Sequence, residues 1–65
     1  MNVKIKGLHQ IKQGMHVDDY WYSHKLKGRA FFHKKDAQGF IVGSMVIDKE
    51  LLDNSAGGFE IELGQ

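Results

Sequence analysis

Gly28-Arg29-Ala30-Phe31-Phe32-His33-Lys34 is followed, after Lys35, by Asp36-Ala37-Gln38-Gly39 and then by Phe40-Ile41-Val42-Gly43-Ser44-Met45-Val46-Ile47. The first segment is rich in aromatic side chains and the third in β-branched ones, and both kinds suit a pleated surface. Between them, Asp36 can hydrogen-bond the turn backbone, and Gly39 takes the fourth position, where a type I turn favours glycine. The stretch predicts a β-hairpin with a short loop. Periodicity alone does not separate the apolar run after residue 40 from a buried helix; two glycines and the β-branched content decide for strand. Gly43, interior to the second strand, predicts a bulge or bend, the alternative being a ligand held close against the backbone.

Outward from the hairpin, Asp48-Lys49-Glu50-Leu51-Leu52-Asp53 predicts one or two helical turns with Asp48 as N-cap. Asn54-Ser55-Ala56-Gly57-Gly58 ends them. Phe59-Glu60-Ile61-Glu62-Leu63 alternates cleanly, with three apolar side chains on one face and two glutamates on the other. On the other side of the hairpin, Asn2-Val3-Lys4-Ile5-Lys6 predicts a first strand with Val3 and Ile5 inward, ended by Gly7. Leu8 to Gln13 reads as a long, partly packed loop. A second strand region runs through Met15, Val17, Tyr20 and Tyr22, and Asp18-Asp19 interrupts it as a bulge or as the break between two shorter strands. Ser23 to Gly28 reads as a polar connecting loop, with Leu26 tucked beneath it.

The expected fold is mostly β: a small five-stranded antiparallel SH3-like barrel, or a strongly bent sheet, with one short helix between the last two strands. In its element order the chain resembles SH3-like small barrels: a long first connection, a tight hairpin between strands three and four, and a helical turn before the last strand. The acidic ALYDY-type stretch and the groove proline of the peptide-binding SH3 family have no counterpart here, so the resemblance implies no polyproline binding. An OB-type barrel would place its helix between strands three and four, where this chain has a four-residue turn. A flat antiparallel sheet with one packed helix is the rival architecture.

All 65 residues read as one domain, near the lower end of what folds alone, because a chain of about this size buries only about 60% of its unfolded surface. Four Phe, two Tyr and one Trp supply the large side chains such a core needs. The absence of cysteine removes disulfides and thiolate metal sites and fits a reducing compartment. Met1 to Gly14 lacks the apolar core of a signal peptide, and no run approaches the roughly 18 apolar residues of a membrane span. A soluble, cytoplasmic protein is expected, with no membrane partner.

Net charge is +1, but residues 1–35 hold eight Lys or Arg against two Asp, while residues 36–65 hold one Lys against six acids. This polarity could steer a partner or favour head-to-tail self-association, or it could reflect antiparallel neighbours of opposite charge.

Chemistry is sparse. Cysteine and threonine nucleophiles are absent, and Ser23, Ser44 and Ser55 lie in no elbow or lysine-containing motif. Ser23 precedes His24, but an extended strand aims such neighbours to opposite faces. Gly57-Gly58 lacks the lysine and helix of a phosphate loop. His16 with Asp18 and Asp19 is the nearest approach to a metal cluster among the four histidines, and it lacks ligand spacing. No enzyme, cofactor or metal is expected.

Residues 20–35 combine five Lys or Arg with five Tyr, Trp or Phe and no acid. Alternation places Tyr20 and Tyr22 opposite Trp21 and leaves open which face is buried. The expected function is a small non-enzymatic protein-binding module, a regulator or inhibitor that docks on a larger protein. Tyr20, Trp21, Tyr22, Lys25, Lys27 and Arg29 are its candidate contact residues, because Trp, Tyr and Arg are enriched at binding hot spots. The alternative is a nucleic-acid-binding barrel using the same surface, with bases stacked on aromatics and lysines along the phosphates. A single arginine makes sequence-specific DNA reading the weaker form of that alternative.

Overall fold

The computed structural model describes residues 1–64. Six antiparallel strands form one sheet, in the order β1-β6-β2-β3-β4-β5, curled into a half-barrel. They are β1 (Asn2–Ile5), β2 (Met15–Val17), β3 (Tyr20–Leu26), β4 (Arg29–Lys35), β5 (Ile41–Asp48) and β6 (Phe59–Leu63), with helix α1 (Lys49–Asp53) between β5 and β6. The expected mostly β, bent sheet with a late helix is present, but with six strands rather than five. The additional strand arises because Asp18-Asp19 is a two-residue hairpin turn, which pairs Val17 with Tyr20 and splits the second strand region in two.

The central hairpin follows its local chemistry. Asp36 Oδ1 accepts from the amides of Gln38 (3.0 Å) and Phe40 (2.9 Å), while the Gly39 amide donates to the Asp36 carbonyl at 3.0 Å. Gly39 has φ +92°, a conformation glycine adopts without a steric penalty. Past β5, Asp48 caps α1 by accepting from the Leu51 amide at 2.9 Å, and Leu52 carries the helix into the core.

The reading of the segment from Ser23 to Gly28 is corrected. Ser23 to Gly28 is not a loop: β3 continues to Leu26, and the connection is Lys27-Gly28 alone, with φ +50° and +74°. Positive φ at both central positions is the backbone of a tight hairpin whose twist matches its strands. Leu26 is accordingly exposed rather than tucked beneath. Leu8–Gln10 forms a 3-10 turn, with Gln10 Oε1 accepting from the amides of Lys6 (2.8 Å) and Gly7 (3.0 Å).

Phe32, Ile5, Ile11, Ile47 and Ile61 are fully buried, joined by Ala30, Met15 and Leu52. They come from both ends of the chain, so one core ties the sheet together. β6 sits between β1 and β2, and its burial alternates as expected, with Ile61 inward and Glu60 and Glu62 exposed. The bend expected at Gly43 has a specific form. Lys34 pairs with Gly43 but Lys35 with Ile41, so Val42 is the extra, bulged residue. The absent side chain at 43 makes room for an aromatic ring. A Cβ there would lie 3.0 Å from Tyr20 Oη and 3.2 Å from its Cε2.

Opposite charges do face each other in register, Lys4 with Glu60 and Arg29 with Asp48. Among the described residues, however, only His16–Glu62 and Lys49–Asp53 approach within ion-pair distance.

Candidate functional site

The strand register decides which of the candidate side chains share a face. In β3, Tyr20 and Tyr22 turn inward and pack against the core, Tyr22 edge-on to Phe32 with ring centroids 5.8 Å apart. Trp21 therefore points outward, 42% exposed. It belongs to a cross-strand row that runs over all six strands: Asn2, Glu62, His16, Trp21, His33 and Ser44. Side chains directly opposite in antiparallel pairs are close enough to touch, and here they stack. The His16 and Trp21 rings lie 4.1 Å apart at 23°, with His16 Nε2 3.5 Å from Glu62 Oε1. His16 Nδ1 donates to the Asp18 carbonyl at 3.0 Å, which fixes the ring against Trp21.

A second outer row consists of His24, Phe31 and Val46. Strict alternation would put His24 inward with Tyr20 and Tyr22. A bulge prevents this: Tyr22 pairs with Phe32 and His24 with Phe31, so Ser23 is the extra residue and the strand changes face. His24 then stacks on Phe31 (5.0 Å, 9°) and comes within 6.0 Å of the His33 ring. The same bulge overturns the expectation that Ser23 and His24 point apart, because Ser23 Oγ and His24 Nδ1 share a hydrogen bond of 2.9 Å.

The outer surface of β2–β5 is thus a band of imidazole and aromatic rings, with Arg29, Phe31, His33 and Lys35 alternating along β4. Beside Trp21 an open groove of about 620 Å³ is lined by Gln13, Asp19, Tyr22, Ser23, His33, Lys34 and Lys35. It offers a flat ring to stack on, two ammonium groups and an imidazole. Among the described residues no three His, Asp or Glu side chains converge as a metal site would require.

Of the residues singled out from sequence, Trp21 lies at the centre of this face and Tyr20 and Tyr22 lie behind it. Lys25, Lys27 and Arg29 are exposed at the far hairpin. Arg29 is four residues along β4 from the partner of Trp21, about 13 Å at the rise of a strand. Lys34 and Lys35, rather than those three, line the groove beside Trp21. His16, His24, Phe31 and His33 were not among the candidates; the alternation of Arg29, Phe31, His33 and Lys35 along one strand was the readable sign of such a face.

No helix among the described residues is long and apolar enough to cross a membrane. No protein-family model matches the chain. Neither a curated protein nor a solved structure matches it closely enough to carry an argument.

Proposed function

We propose that the protein is a non-enzymatic protein-binding module, a small regulator or inhibitor that docks on a larger protein through the outer face centred on Trp21. The observation that carries this reading is the placement of Trp21. The chain's only tryptophan is left outside a core that Phe32 and the isoleucines fill, and it is held rigid by His16. A pre-stacked, half-exposed tryptophan with Lys34 and Lys35 beside it suits a partner that presents an apolar pocket ringed by carboxylates. Phe31, Val46 and Ile41 extend the same face with apolar area that a protein partner can cover and a nucleic acid would leave wet. A cysteine-free chain suits a reducing compartment, and the proposal places the protein in the cytoplasm.

One observation favours a second reading, single-stranded nucleic acid. The groove sets Trp21 beside Lys34 and Lys35, a stacking ring next to phosphate-binding cations. Affinity capture from the native cell, with wild-type and Trp21→Ala baits and with or without nuclease, separates the readings. Capture of a protein that survives nuclease and fails with Trp21→Ala supports the proposal. Capture lost on nuclease treatment, together with steep salt dependence, moves the assignment to nucleic acid. Equal capture by both baits overturns the Trp21-centred site.

A further inference from the structure

Strand β5 is one edge of the sheet, and among the described residues nothing pairs with its outer side. It is eight residues long, and no residue from Ala37 to Ile47 carries a charge. Phe40, Ile41 and Val42 are 69%, 54% and 59% exposed, and Val46 is 39% exposed. Natural edges are blunted by shortness, lysine, proline or bulges; here only the bulge at Val42 is present.

We propose that β5 of a second copy of this chain covers this edge, pairing antiparallel about a two-fold axis to make one continuous sheet. The occupant follows from charge and symmetry. A covering strand must be uncharged opposite Ile41–Ile47 and apolar on both of its faces. β5 meets that condition, whereas β1, the other edge, carries Lys4. A two-fold axis close to Ser44 brings Val46 of one copy near Val42 of the other, an isologous contact in which each side supplies what the other needs. With a net charge of +1, two copies repel little. Such pairing keeps both Trp21 faces on the same side of the sheet and leaves Trp21, two strands in from the edge, clear of the seam.

Sedimentation velocity across the micromolar to millimolar range tests the pairing. A reversible dimer is expected, weakened at least roughly tenfold by Val42→Lys and by Val46→Lys, because each sets a charged lysine against the apolar valine that faces it across the axis. Both positions are exposed, so at concentrations where the wild type is itself monomeric the variants keep its melting curve. A strict monomer throughout, or a dimer indifferent to both lysines, overturns the proposal. The geometry is tested with a nitroxide on Ser44→Cys, the only thiol in that variant, mixed with isotope-labelled wild-type chains. Broadening of amides 41–48 in the labelled copy supports it; broadening centred on β1 shows head-to-tail pairing and overturns it.

Discussion

The two edges of this sheet obey different rules. β1 is four residues long, alternates with Lys4, runs into Lys6, and packs Val3 and Ile5 on the core. β5 is twice as long, uncharged until Asp48, and exposes Ile41, Val42 and Val46. The outer faces differ in the same sense. Around β1 and β6 the outer face is Asn2, Lys4, Glu60 and Glu62, which water covers well; around β3–β5 it is Trp21, His24, Phe31, His33 and Val46. The β1–β6 half is finished as a solvated surface. The β3–β5 half breaks the usual protections at its edge and on its face together, and such local violations are where function is expected to reside.

Ways to break or sharpen this contrast run from whole-fold effects to nearly silent ones. Phe32→Ala should destabilise by about 3–5 kcal/mol, since it empties the centre of the core shared by both halves. Urea unfolding followed by far-UV circular dichroism should show one cooperative transition at a much lower midpoint. Two separate transitions would mean that the halves do not share a core. Gly43→Ala should cost about 1–3 kcal/mol by pressing a methyl group on Tyr20. The loss should shrink in a Tyr20→Phe background, where the closest contact is gone, and a double-mutant cycle reads this coupling.

Removing the helix cap with Asp48→Ala should cost about 1 kcal/mol, read from the same urea curves. Lys4→Val leaves stability within about 0.5 kcal/mol, as exposed substitutions do. It makes β1 resemble β5, however, and should turn a closed dimer into larger, concentration-dependent species in sedimentation. The smallest effect concerns Lys49, whose pKa is raised by its hydrogen bond to Asp53 and by that carboxylate's charge. The contribution is present below the ordinary lysine value of 10.5 and fades as pH rises through the raised value. Asp53→Asn should therefore leave the melting temperature nearly unchanged at neutral pH, since both side chains of the pair are exposed to solvent.

What could be read from sequence was local. The Asp36–Gly39 turn, the Asp48 cap, the alternation of β6 and the inward Val3 and Ile5 each depend on a few neighbouring residues, and each is present. What could not be read depends on strand partners. Lys27-Gly28 lacks the asparagine that usually marks a tight hairpin, so β3 looked shorter than it is. Nothing local announces the bulge at Ser23, yet it carries His24 to the outer face. β5 reads as a buried strand by composition, and only the strand order reveals it as an edge. For the candidate site, Trp21 was legible by type. Its neighbours His16, His24 and His33 come together from three strands.

Amide hydrogen exchange at low and high protein concentration tests the contrast between the edges most directly. Protection of the β5 amides that face away from β4 should rise with concentration, while the outward amides of β1 exchange at an unchanged rate. Equal behaviour of the two edges, or a rise confined to β1, would contradict the assignment of β3–β5 as the interacting half.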